Sequence, residues 1–166
     1  MLSRRRFLRT GSATLLAGAV LPWPALSLAQ GGATLAPFNR TDAQWREMLS
    51  ADQYDILRRE GTERAFSSAL NDETRAGMYA CAGCRQEVFS SEDKFDSGTG
   101  WPSFTRPIPG SAEIRYDTTV NDTLRTEVHC VRCESHLGHV FEDGPPPTGL
   151  RYRINGLSLR FIARQA

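Results

Sequence analysis

The chain has 166 residues, of which 40% are hydrophobic and 23% charged, and its formal net charge is +1. That length suits one domain with one core, and the near balance of charge excludes the basic face a nucleic-acid binder carries. No internal repeat breaks the chain, and its one biased stretch, Pro145-Pro146-Pro147, reads as a stiff loop.

The N-terminus reads as a targeting segment. Ser3-Arg4-Arg5-Arg6-Phe7-Leu8-Arg9 is a twin-arginine pattern, and the apolar run that follows over residues 13–21 is too short to span a bilayer comfortably. Ser27-Leu28-Ala29 offers the small residues a signal peptidase reads, so residues 1–29 are expected to be a cleaved signal; an uncleaved membrane anchor is the alternative. Cleavage removes four arginines and no acid, taking the charge from +1 to −3. The expected location is the periplasm, reached by the twin-arginine route, without stable membrane insertion after cleavage.

Residues 30–40 form a small, polar linker, and residues 41–166 form the domain. Thr41-Asp42-Ala43-Gln44 has capping-box spacing ahead of Trp45, Met48 and Leu49. Ser50-Ala51-Asp52-Gln53 repeats the device ahead of Tyr54, Ile56 and Leu57, and Gly61 is the expected stop. Beyond Gly77 the texture changes to short β-rich runs at 77–80, 87–89, 114–120, 124–129, 150–155 and 157–162. Helices followed by short strands predict an α+β domain, mainly antiparallel β, with one or two short N-terminal helices.

All four cysteines lie in two C-x-x-C pairs, Cys81/Cys84 and Cys130/Cys133, separated by 45 residues. Two such pairs make a tetrahedral thiolate set of the kind that structural zinc prefers, clamping two strand ends and leaving no open position for water. Two disulfides or four inert buried thiols are the alternatives. An oxidising compartment favours disulfides. Resemblance to twin-arginine substrates, which cross the membrane already folded, lets the metal load first in the cytoplasm.

Three segments are too polar and too specific for packing alone. They are residues 94–104 (Lys-Phe-Asp-Ser-Gly-Thr-Gly-Trp-Pro-Ser-Phe), 136–144 (His-Leu-Gly-His-Val-Phe-Glu-Asp-Gly) and 149–155 (Gly-Leu-Arg-Tyr-Arg-Ile-Asn). With Gly61-Thr62-Glu63-Arg64-Ala65-Phe66, Arg125-Thr126-Glu127-Val128 and both cysteine pairs, they closely resemble the B-type methionine sulfoxide reductases, in the same order and spacing. The resemblance implies a twisted antiparallel fold with a shallow pocket. It also implies reduction of methionine-R-sulfoxide in peptides or proteins, with a thioredoxin-like thiol donor. Trp101 matches the wall that holds the substrate methyl group, His136 and His139 the pocket histidines, and Asp143 and Arg151 the residues that orient the histidine and polarise the pocket. Read without the resemblance, Trp101 would be core, the histidine pair a metal site or satisfied core polarity, and Asp143 a turn residue.

The chain departs from that family at one decisive place. The family carries its nucleophile as the third residue of Arg-Tyr-Cys-hydrophobic-Asn, and this chain reads Arg151-Tyr152-Arg153-Ile154-Asn155. Thr99 stands where a resolving cysteine is often found, and many active relatives also have threonine there. A guanidinium stays protonated and cannot attack sulfur. Three explanations stand: a true pseudoenzyme substitution, a single-base variant or artefact of a working enzyme, or a nucleophile displaced to another cysteine. Strand alternation puts Arg151, Arg153 and Asn155 on one face. Arg153 is expected to fill the space beside Trp101 or swing out to solvent, giving a cationic pocket that excludes neutral methionine sulfoxide and favours an anion such as sulfate. An oxidised partner is a further candidate ligand for such a non-catalytic protein.

Overall fold

A computed structural model describes residues 36–117 and 125–165. The expected signal and the parts of the linker and strand expectations that fall on 30–35, 118–120 and 124 lie outside the described residues.

Two short helices open the domain, α1 (Asp42–Met48) and α2 (Ala51–Arg59), each started by its capping box. Thr41 Oγ1 accepts from the Gln44 backbone N–H while Gln44 Oε1 accepts from that of Thr41, and Ser50 and Gln53 repeat the exchange. The stop comes one residue earlier than expected. Glu60, at φ 59°, takes the left-handed position, and Gly61 then donates its N–H to the Asp55 carbonyl at 3.1 Å. Trp45, Leu49, Tyr54, Ile56 and Leu57 are buried.

Nine strands follow among the described residues: β1 (Gly77–Cys81), β2 (Glu87–Ser90), β3 (Lys94–Phe95), β4 (Ser103–Phe104), β5 (Ala112–Asp117), β6 (Arg125–Cys130), β7 (His136–Phe141), β8 (Arg151–Ile154) and β9 (Leu159–Ala163). They form two antiparallel sheets, in the orders β2-β1-β9 and β3-β4-β8-β7-β6-β5. One apolar cluster joins both sheets to both helices through Tyr79, Phe89, Phe104, Leu137, Ile154 and Leu57, with the Phe89 and Phe104 rings stacked at 4.4 Å.

Three strands were not expected: β3, β4 and β7. The first two are two residues each, too short for any period to register. In β7 the pairing slips: Gly138 opposes Val128 but His136 opposes His129, so Leu137 is an inserted residue, a β-bulge. The bulge breaks the alternation that identifies a strand in sequence.

That bulge places the chemistry. Residues three apart on a regular strand face opposite ways, yet the His136 and His139 rings lie 5.1 Å apart. Gly138 between them is equally specific, because a Cβ there would run into the Arg153 carbonyl and the Ile154 backbone. β7 and β8 therefore approach closely where His139 and Arg153 meet.

Candidate functional site

The cysteines form two matching knuckles. Cys81 ends β1, the Cys81 N–H reaches the Gln86 carbonyl, the Arg85 N–H reaches the Cys81 carbonyl, and Arg85 is left-handed at φ 65°. Cys130 ends β6 in the same way, bonded to Ser135 and Glu134, with Glu134 at φ 55°. One knuckle closes the β1–β2 hairpin of the small sheet and the other the β6–β7 hairpin of the large one, so a shared metal would tie the two sheets together.

All four cysteines are buried and unpaired, with their sulfurs within 4.8 Å of one another. Cys81–Cys133 is 3.7 Å and Cys84–Cys130 is 3.5 Å. A disulfide needs about 2.05 Å, whereas the edge of a thiolate tetrahedron with metal–sulfur bonds near 2.3 Å is about 3.8 Å. The arrangement fits a tetrahedral metal. Hydrogen bonding with Cys130 holds the Cys133 thiol well below its ordinary range and pushes Cys81 well above it, while Cys133 pushes Cys130 up in turn. Like charges this close repel, so four thiolates in one buried cluster call for a cation among them.

The segment read as a linker with little to bury docks here from Ala36 onward. The Phe38 N–H bonds the Arg132 carbonyl, and Arg132 reaches the carbonyls of Ala36 and Cys84. The Phe38 ring sits 5.7 Å from that of Trp45.

The pocket residues meet on the large sheet. Cross-strand pairing aligns Arg115, Glu127, His139, Arg153, Ser103 and Phe95 in one row across six strands, and directly opposed side chains share a face. Arg153 is half-buried at the centre. Its guanidinium carbon lies 4.9 Å from the Trp101 ring centre and 5.5 Å from that of Phe141, and one nitrogen lies 3.3 Å from His139 Nδ1. The Arg151 guanidinium stacks over Phe141 at 4.6 Å and pairs bidentately with Asp143, both bonds 2.8 Å. That pairing holds the Asp143 carboxyl below its ordinary range. The two guanidinium groups expected side by side thus share the Phe141 ring, and Arg151 is held by Asp143.

The indole N–H of Trp101 donates to the Glu63 carbonyl at 3.1 Å. The Glu63 carboxylate accepts from the backbone N–H groups of Gly156 and Leu157, and its own N–H reaches Asn155 Oδ1 at 3.2 Å. Asn155, buried just past β8, also donates to the Leu137 carbonyl at 3.2 Å. Its side chain ties the Glu63 turn to β7. Thr99 Oγ1 lies 2.8 Å from Ser97 Oγ, which lies 2.9 Å from Ser103 Oγ, so a hydroxyl chain links the resolving position to the strand neighbour of Arg153.

Glu127 and Phe141 were assigned no role from the sequence, because only strand register and the bulge reveal their place. Glu127 Oε1 lies 2.9 Å from His136 Nδ1, with both residues buried, and this bond holds the carboxyl below its ordinary range. A depressed carboxyl contributes stability that is present above its unfolded value near 4.5 and is lost as pH falls through the folded value. Glu127→Gln is therefore expected to cost about 1–3 kcal/mol at pH 7 and to shrink the fall in melting temperature below pH 5. Melting curves from pH 7 to 3 test this, and an acid limb identical to the parent's would refute it.

A family profile described as the SelR domain matches residues 49–163. The "Peptide methionine sulfoxide reductase MsrB" of Thiobacillus denitrificans is 57% identical over 122 residues, covering 74% of this chain and 92% of that protein. Proteins of the same name from Agrobacterium fabrum and Pseudomonas putida are 50% and 52% identical, covering 91% and 95% of their own lengths and 74% and 76% of this chain.

Proposed function

Because the chain belongs to the SelR-domain family of B-type methionine sulfoxide reductases, we propose that it carries a methionine sulfoxide pocket from which the reducing nucleophile has been lost. The observation that supports this most directly is Arg153. It occupies the nucleophile's position in the Arg-Tyr-x-x-Asn run, at the centre of the cross-sheet row, with its guanidinium against Trp101 and beside His139. In the family chemistry a thiolate attacks the sulfoxide sulfur while an acid assists the departing oxygen, which ends on the cysteine as a sulfenic acid. A thiol donor then removes that oxygen as water. Arg153 cannot begin the sequence, and all four cysteines are gathered in the metal cluster.

On this reading the pocket is built for the R epimer of methionine sulfoxide, its methyl site beside Trp101 now taken by the Arg153 guanidinium, and a donor of the thioredoxin type serves any member that turns over. The test is a coupled assay of the purified parent with a methionine-R-sulfoxide peptide and dithiothreitol. Turnover no faster than the no-enzyme control is expected; clear turnover overturns the assignment.

The metal is zinc and its role is structural, since four thiolates close the coordination sphere. The protein acts in the periplasm after twin-arginine export and cleavage following Ala29. Intact-mass measurement on periplasmic material is expected to find a chain beginning at Gln30, and full-length protein in the cytoplasm would refute this.

A second reading has one observation in its favour. The Asp143–Arg151 pair, the Glu127–His136 pair and the Trp101–Glu63 bond are all assembled around the altered position. A working enzyme is then a single codon away, and resequencing around position 153 decides between a fixed substitution and an isolated variant.

A further inference from the structure

Phe66 is the most conspicuous side chain near Trp101 that neither the fold nor the pocket requires. It is 70% exposed, the second most exposed of the large apolar side chains among the described residues with stated burial. Its backbone is left-handed at φ 61°, a conformation a bulky residue adopts only when its surroundings impose it, and such outliers gather at functional sites.

The surroundings do impose it. The Phe66 N–H donates to the Gly100 carbonyl at 2.7 Å. Gly100, at φ 89°, has the Phe66 ring and backbone nitrogen where a side chain would start. Three residues earlier, Glu63 is fixed through its carboxylate, its N–H and the carbonyl that holds the Trp101 indole. The turn is therefore braced against the residue next to Trp101, and its product is an aromatic ring facing solvent. Burial cannot be the gain. Behind the turn runs a cleft of about 640 Å³, lined by Thr62, Glu63, Arg64, Ser67 and Leu157 among others.

We infer that Phe66 is a recognition residue for polypeptide, contacting an apolar side chain adjacent in sequence to the methionine sulfoxide. The inference rests on the reading that Trp101 walls a methionine sulfoxide pocket. A methionine held against Trp101 as part of a chain must run its neighbours past the adjoining turns, and Phe66, bonded to the residue before Trp101, stands on one of them. Free methionine sulfoxide would make no such contact.

The experiment is a chemical-shift titration of the parent and of Phe66→Ala with two blocked peptides, Leu-Met-sulfoxide-Leu and Gly-Met-sulfoxide-Gly. The parent is expected to bind the leucine peptide about fivefold tighter, the size of a partly buried apolar side chain. Phe66→Ala is expected to make the two affinities equal and leave that of the glycine peptide unchanged. Phe66→Gly, which also relieves the left-handed conformation, should do the same and guards against a folding artefact. An equal preference for leucine in parent and variants overturns the inference, as does an equal loss for both peptides.

If the parent binds neither peptide, the same titration in the Arg153→Cys background decides, and failure to bind there refutes both the inference and the pocket reading. A leucine preference that depends on Phe66 but is undisturbed by Trp101→Ala refutes the pocket reading alone.

Discussion

Arg153→Cys is expected to turn an inactive protein into a methionine sulfoxide reductase, raising kcat/KM on an R-sulfoxide peptide by about a thousandfold or more. The scale follows from the role: deleting a covalent nucleophile elsewhere costs about a millionfold in kcat, and an incompletely adapted site should recover only part of that. The substitution does two things at once. It supplies a sulfur on the central strand, beside His139 and within one ring of Arg151, where neighbouring positive charge favours the thiolate. It also removes the guanidinium now resting on Trp101 and opens space for the substrate methyl group. A second variant separates these effects: Arg153→Ala should bind sulfoxide better than the parent yet reduce none. An Arg153→Cys protein that folds, holds its metal and remains inactive would show that position 153 is not the only lesion. Equal sulfoxide affinity in parent and Arg153→Ala would remove the occlusion argument.

The four-cysteine cluster and the helix starts were legible in the sequence because their signals are local. A C-x-x-C pair or a Ser-x-x-Gln box states its geometry within four residues, and both knuckles and both capping boxes formed where they were written. The candidate pocket residues stood out only through the family motifs. Their geometry depends on register: Glu127, His139, Arg153 and Ser103 come from four strands far apart in the chain and meet through pairing alone. The bulge at Leu137 hid β7 and at the same time brought His136 and His139 together, so the feature that builds the site is the one that erased its periodic signature. Glu60 in place of Gly61 as the left-handed cap, and Phe66 at positive φ, follow a different logic. Each is a non-glycine residue fixed by neighbours, and composition gives no warning of it.

Replacing any one of Cys81, Cys84, Cys130 or Cys133 by serine is expected to release the metal and lower the melting temperature by about 15 °C or more. The bound metal in small thiolate domains contributes about 10–16 kcal/mol to folding, comparable with the whole net stability of a domain, about 5–15 kcal/mol. This domain also has a core of its own around Tyr79, Phe89 and Phe104. A serine variant should therefore keep some structure in the cold while losing the tie between the sheets. The four variants should be nearly equivalent, because a tetrahedral site lacking any one sulfur loses a quarter of its ligands and gains a poorly matched oxygen. Metal content by mass spectrometry and thermal melting test this together. Purified parent without metal but with two disulfides would refute the clamp outright, and a serine variant that holds its metal and melts with the parent would refute the closed four-thiolate site. The order of failure carries the mechanism. In Arg153→Cys, a chelator should abolish reductase activity only as the fold opens, since a site closed by four thiolates offers no open position to substrate.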